Sequence, residues 1–420
     1  MDPGVGQEIF KMQNESHEFP TLDDIFRARD SIGNSIKKTP LQRSETFSKL
    51  IGTNIFLKLE SLQKTGSFKV RGALLKLGML PKEEEKGGVI AASAGNHAQG
   101  VAYAALKKNI PCTIVMPRNA SPAKVAATKA YGANVILRGL TYEESWLAAQ
   151  EISKERGHAI IHAFDDPQII CGQGTIGLEL LEDLQEVDEV YLPIGGGGLA
   201  AGVAIAIKTK NPRVRIIGIE SDAFPSMKES LEHGTIRHIV AGRTIADGIS
   251  VKSPGRLTYE IASQYLDDLR LVDDSSIVQT MFLLMERAKL VVEPAGAASL
   301  AYLIEKGHPN KEKNVIAVLS GGNVDMYLLG QIVAKGLMNM GRMLKIFIQL
   351  PDRPGALKTI VDIIADMSVN IVEVVHDRLS SNVFAGTAGV YLSLEMENSS
   401  HAERLLGHLD AKGVKFKIVN

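Results

Sequence analysis

Three short apolar runs in this chain each end in a glycine-rich loop, and that arrangement allows few folds. The runs are Val89-Ile90-Ala91-Ala92, Val190-Tyr191-Leu192-Pro193-Ile194 and Val315-Ile316-Ala317-Val318-Leu319. They close on Ser93-Ala94-Gly95-Asn96-His97, Gly195-Gly196-Gly197-Gly198 and Ser320-Gly321-Gly322-Asn323. The first two loops lead directly into helical patterns. Further strand-like runs at residues 55–59, 112–116, 134–137 and 215–220 alternate with helical stretches, and Thr21 with Asp24 marks a first helix start after Pro20. Strands alternating with helices imply βαβ units in a mostly parallel sheet with right-handed crossovers. Such sheets bind ligands beyond the carboxyl ends of their strands, where loops like these converge.

Lys69, framed as Ser67-Phe68-Lys69, adds an amine to the loops. An amine attacks a carbonyl only when neutral, so it needs burial or a neighbouring cation. Phe68 offers an aromatic neighbour and Arg71 a close positive charge. Alone, the triplet reads better as a solvated lysine near a helix start. Gly195 to Gly198 leave bare amides for an anion, with the helix from Leu199 behind them. The same loop, with Glu220 roughly 20 residues on, also fits a relaxed dinucleotide fingerprint. That reading gives Lys69 and the Ser320 loop no role. Ser93 to His97 can grip a carboxylate through backbone amides and the Ser93 hydroxyl, while Asn96 bonds a ring hydroxyl; His97 itself reads better as a core histidine. Ser320 suits a ring nitrogen. One amine, one phosphate cradle and two small polar loops describe a site for pyridoxal phosphate. Glu293 before Pro294 could contact the cofactor or orient the Ser320 loop, and Asp247 could support a domain interface, but they read more simply as a helix N-terminal acid and a turn residue.

The bulk numbers exclude several alternatives. With 420 residues, 45% hydrophobic and 23% charged, the chain suits two or three globular domains. Its 47 basic and 48 acidic residues argue for neither nucleic acid nor a membrane surface. Cys112 and Cys171 lack zinc-type spacing and suit a reducing cytosol. No apolar run is long enough to span a bilayer, and residues 1–20 read as a loose polar arm rather than a signal peptide. A cytoplasmic location is the expectation.

The pattern changes after Lys335. A connector over residues 336–342 precedes strand 343–349, a Pro-Gly turn, helix 356–367 and strand 369–375. Strand 387–395, helix 399–412 and strand 414–419 follow. This β-α-β-β-α-β order predicts a separate ferredoxin-like α+β domain over residues 343–420. It holds no evident nucleophile or metal cluster, so binding or regulation is its expected task.

Residues 20–335 resemble the threonine dehydratases (threonine ammonia-lyases) among the fold-type II pyridoxal phosphate enzymes. The resemblance runs through residues 67–73, 92–100, Gly195 to Leu199, residues 244–248, Glu293-Pro294-Ala295-Gly296-Ala297 and Ser320 to Asn323. It implies a two-domain, tryptophan synthase β-like region over residues 21–335, with a small subdomain of about 57–158 inserted in a larger one. Lys69 would hold the cofactor, yield it to the substrate amine and then remove the α-proton. Phe68 would lie against the ring, Asn96 would bond its hydroxyl, Gly195, Gly196, Gly197, Gly198 and Leu199 would hold the phosphate, and Ser320 would meet the ring nitrogen. A serine there cannot keep that nitrogen protonated, which favours β-elimination over transamination. The loop Ser93, Ala94, Gly95, Asn96, His97 would bind substrate, with Ser93 assisting catalysis. The implied reaction converts L-threonine to 2-oxobutanoate and ammonia, or L-serine to pyruvate. Serine racemases are the nearest alternative, but they place a second catalytic serine where this chain has Ala94. Their cation site would involve Glu220, whose following stretch lacks a full ligand set; Glu220 reads equally as a cation ligand or a strand-end acid, and no metal is assigned. A non-catalytic amino-acid sensor is a further alternative. The tail resembles an ACT domain through residues 352–357 and Asn370-Ile371, which implies an amino-acid effector; isoleucine or valine would suit isoleucine biosynthesis. A homodimer or homotetramer follows by analogy.

Overall fold

The computed structural model describes residues 19–240, 242–380 and 383–419. The arm expected over residues 1–20 therefore lies outside the described residues, apart from Phe19 and Pro20. Two compact units make up the chain, one ending at Asp325 and the other beginning at Met326. That division precedes the expected one after Lys335. Residues 336–339, expected as connector, complete the helix Met326–Asn339.

The first unit contains two sheets. The larger comprises β1 (Leu41–Arg43), β2 (Asn54–Leu59), β7 (Glu189–Pro193), β8 (Arg215–Ser221), β9 (Asp268–Val272) and β10 (Asn314–Leu319). Its strand order is β1-β2-β10-β7-β8-β9. The smaller comprises β3 (Val89–Ala92), β4 (Cys112–Met116), β5 (Asn134–Leu137) and β6 (Ala159–Ile160), in the order β5-β4-β3-β6. Every pairing is parallel except β1 against β2. The mostly parallel α/β architecture is as the sequence implies. β3, β7 and nearly all of β10 are buried along their length, as unbroken apolar runs covered on both faces must be.

Local chemistry sets the helix starts. Thr21 caps the helix Leu22–Ile32 and Asp24 completes a capping box. Asp166 caps the helix Pro167–Asp183, with proline in its first turn. β1, β6 and β9 are additions to the sequence reading. β1 and β6 span three and two residues, too short for a period, and β9 carries Asp268 and Arg270 among its apolar positions.

In the second unit β11 (Met343–Pro351), the helix Ala356–Asp366, β12 (Asn370–Asp377), β13 (Thr387–Glu395), the helix Ser399–Ala411 and β14 (Phe416–Ile418) follow in turn. The sheet order β12-β13-β11-β14 is antiparallel throughout, the ferredoxin-like topology. Ile346, Ile348, Ile360, Ile364, Leu392 and Leu405 fill its core. Among the described residues no helix is long and apolar enough to cross a membrane.

Candidate active site

The loops after β3, β7 and β10 line one cavity of about 410 Å³ in the first unit. Phe68 and Lys69 line it from the start of the helix Lys69–Gly78, where a backbone ladder fixes them. Phe68 N–H donates to Ser320 O over 3.1 Å, Gly322 N–H to Gly66 O over 2.8 Å, and Ser67 bridges Gly321.

Lys69 Nζ donates to Ala163 O at 2.8 Å and stands 5.2 Å from the Phe68 ring centroid. Burial pushes the amine down to about 8, against the upward pull of the Glu293 carboxyl. Arg71, expected to be the cation that lowers it, is committed elsewhere. Its guanidinium is fully buried and bonds Glu60 and Glu179, and Lys58 also bonds Glu179. Burial of Lys69 alone therefore supplies neutral amine near physiological pH.

The glycine loop opens the helix Gly198–Lys210, with Gly197 at φ +92°. A side chain at Gly196 would place its Cβ 2.3 Å from the Phe164 ring. Thr258 Oγ1 donates to Gly196 O at 2.7 Å, and the Asp165 carboxylate accepts from the Arg256 and Thr258 amides. Phe164, Asp165 and Thr258 thus shape the loop from outside. No motif announced them; the one signal was the Asp166-Pro167 helix start just downstream. Leu199 lines the cavity and packs into the hydrophobic core.

On the β3 loop, Ser93 Oγ accepts from Gly95 N–H at 3.1 Å, which leaves the Ser93 O–H to donate into the cavity. Ala94, Gly95 and Asn96 also line the cavity, at the N-terminus of the helix Asn96–Lys108. That is a favourable place for a carboxylate. His97 borders the cavity but is buried, with Nε2 donating to Ile161 O at 3.0 Å, and burial pushes it down to about 3. It stays neutral and satisfied. Ser320 is buried at the end of β10 and lines the same cavity.

Glu293, which the sequence reading treated mainly as a helix-start acid, belongs to the site. It is 5% exposed, its N–H donates to Gly321 O, and it accepts from Asn96 Nδ2 at 2.5 Å. Burial, reinforced by Asp247, pushes it up to about 7; Asn96, Lys124 and Lys69 oppose that shift. Asp247 lines the cavity and pairs with Lys124. Asn323 joins the two loops by donating to Asn96 Oδ1 and Thr65 O. Glu220 is not in the cavity. Its buried carboxyl accepts from Met227 and Lys228 N–H at 2.8 and 2.9 Å, so no free acid remains for a ribose. Among the described residues no group of three His, Cys, Asp or Glu could hold a metal.

Residues 32–321 match the family model of pyridoxal-phosphate dependent enzymes. The chain belongs to this family. It is 45% identical over 401 residues to an L-threonine ammonia-lyase of Thermotoga maritima, covering 95% of this chain and 99% of that protein. Among solved structures, maize serine racemase matches with TM-score 0.72 and 36% identity over 77% of this chain and 99% of that one. Threonine deaminase isoform 2 from Solanum lycopersicum, in its processed form, matches with TM-score 0.71 and 35% identity over 76% and 91%. The cofactor is pyridoxal phosphate. The residues fit it: a buried amine lies in one cavity with four glycines leading into a helix, and side chains added at Gly196 or Gly198 would meet Phe164.

Proposed function

We propose that this pyridoxal phosphate enzyme is an L-threonine ammonia-lyase that also accepts L-serine. The observation that carries the reading is the wall around Lys69. Ser93, Asn96, Glu293 and Ser320 line the cavity, and Ala94 stands where a second proton-transfer serine would be needed for racemisation. Both racemase and deaminase structures match the fold, so the side chains must decide. The 45% identity to an L-threonine ammonia-lyase extends over nearly the whole chain and supports the same choice.

The cofactor, when bound, supplies the aldehyde that takes up an amine and the conjugated ring that accepts the α-carbon's electron pair. The rest falls to the chain. Ser93 and the amides at the helix start hold the substrate carboxylate. Lys69, brought down to about 8 by burial, accepts the α-proton at Nζ in its neutral form. Gly195 to Leu199 would hold the phosphate, Asn96 would donate to the ring hydroxyl, Phe68 would lie against the ring, and Ser320 would meet the ring nitrogen. Loss of the β-hydroxyl as water, then hydrolysis that regains one water, yields 2-oxobutanoate and ammonia. L-Serine gives pyruvate by the same route.

The first unit, ending at Asp325, forms the catalytic region, with the small sheet, Val89 to Ile160, in an inserted subdomain. The helix Met326–Asn339 opens the second unit, and residues 343–420 act as an ACT-type module that binds an amino-acid effector. The antiparallel ferredoxin-like sheet and the turn before the helix Ala356–Asp366 support that role. A cytoplasmic homodimer or homotetramer completes the proposal.

Incubating the protein separately with L-threonine, L-serine and D-serine tests it. Keto acid from the L-isomers, without interconversion of the serines, is the expected result. Serine isomerisation without keto acid would move the chain to the racemases despite Ala94.

A further inference from the structure

Asn96 is held by a chain of hydrogen bonds whose direction is forced. It begins at the Thr65 carbonyl, a backbone group that can only accept. Asn323 Nδ2 donates to it at 2.8 Å and, with its second hydrogen, to Asn96 Oδ1 at 2.6 Å. Flipping the Asn323 amide would set an oxygen against two oxygens. The Asn96 amide is fixed in turn: its oxygen is taken, and its Nδ2 donates to Glu293 Oε1 at 2.5 Å. One Asn96 N–H remains, and Asn96 lines the cavity.

Two glycines clear space for this chain. A Cβ on Gly66, at φ +73°, would lie 2.5 Å from Asn323 Oδ1, and one on Gly321 would lie 2.1 Å from Glu293 Oε1. The backbone bonds between residues 66–68 and 320–322 hold both ends in place. Neither glycine is explained by phosphate binding.

We propose that Asn323 and Glu293 are positioning residues that lock the Asn96 amide, so that a single N–H donor faces the cofactor's ring hydroxyl. The lock rests on the cofactor assignment and not on the identity of the substrate. A donor at that oxygen favours its anionic form, and an oxygen turned toward it disfavours that form. Carboxamide geometry thus becomes an electronic setting of the ring. A locked donor also needs no reorientation when charge develops there.

The test uses purified holoenzyme variants without substrate. Asn323→Asp is nearly isosteric but has no N–H to give, so it sets oxygens against Thr65 O and Asn96 Oδ1. The expected result is loss of the resting long-wavelength absorbance band and cofactor release roughly tenfold faster, the scale of one lost hydrogen bond. Glu293→Ala should act in the same direction, whereas Glu293→Gln, which keeps an acceptor oxygen, should retain the band. If Asn323→Asp does not fold, Asn323→Ala carries the test and should show a smaller shift of the same sign. Wild-type absorbance and release in both Asn323→Ala and Glu293→Ala would overturn the proposal. A wild-type protein inert toward L-threonine would sink the ammonia-lyase reading and leave this test intact, because neither readout needs substrate.

Discussion

At the scale of single residues, the amine of Lys69 matters most. Its ordinary value of 10.5 is brought to about 8 by burial. Capture of an aldehyde needs the neutral form, whose fraction rises with pH. The rate at which apoenzyme regains pyridoxal phosphate should therefore climb through about pH 8 and level off above it. Stopped-flow absorbance would show this, and a rate still rising toward pH 10.5 would contradict it. Lys69 was legible in the sequence, but the source of its activation was misjudged. Arg71 lies two positions away, yet its guanidinium is committed to Glu60 and Glu179, and spacing alone does not reveal which way a buried side chain is committed. Glu293 was undervalued for a related reason: an acid before proline is a normal helix start, and only the fold brings it to Asn96.

At the scale of elements, the glycine loop and the lysine helix carry the site. Gly196→Ala drives a methyl group into the Phe164 ring and should weaken pyridoxal phosphate binding at least about tenfold, the scale of one lost charged hydrogen bond. Cofactor titration checks this, with circular dichroism to confirm that the fold persists. The helix Lys69–Gly78 is tied by Arg71 to Glu60, beyond β2, and to Glu179 on the helix Pro167–Asp183. Removing one partner from a buried ion network strands the others. Arg71→Ala should cost about 3–5 kcal/mol of stability in denaturant unfolding. A loss below about 1 kcal/mol would mean that water reaches the network. The buried strands and the Thr21 capping box were legible because each depends on neighbouring residues. Phe164, Asp165 and Thr258 were not, because their contacts to the glycine loop and to one another span from 32 to 93 positions and follow no period.

At the scale of the whole molecule, the chain divides after Asp325 into a unit that contains the entire cavity and a second unit built as a ferredoxin-like sheet. A truncated chain ending at Asp325 should still form 2-oxobutanoate, but its turnover should no longer respond to added L-isoleucine or L-valine. Steady-state rates with and without each amino acid decide this, and an effector response that survives truncation would remove the regulatory role from the second unit. The order of elements in the second unit, and of the buried strands in the first, was readable from hydrophobic period and turn residues, whereas the short or charged β1, β6 and β9 were not. The boundary was not, since the apolar helix Met326–Asn339 continues the pattern of the first unit's helices without a break in composition.

In the proposed reaction Lys69 both holds the cofactor and takes the α-proton. Formation of 2-oxobutanoate from L-threonine by wild-type protein and by Lys69→Ala, each supplied with pyridoxal phosphate, tests it most directly. Product is expected from the first and at least about a thousandfold less from the second, because a catalytic base and its covalent role are lost together. Equal product from both would contradict it.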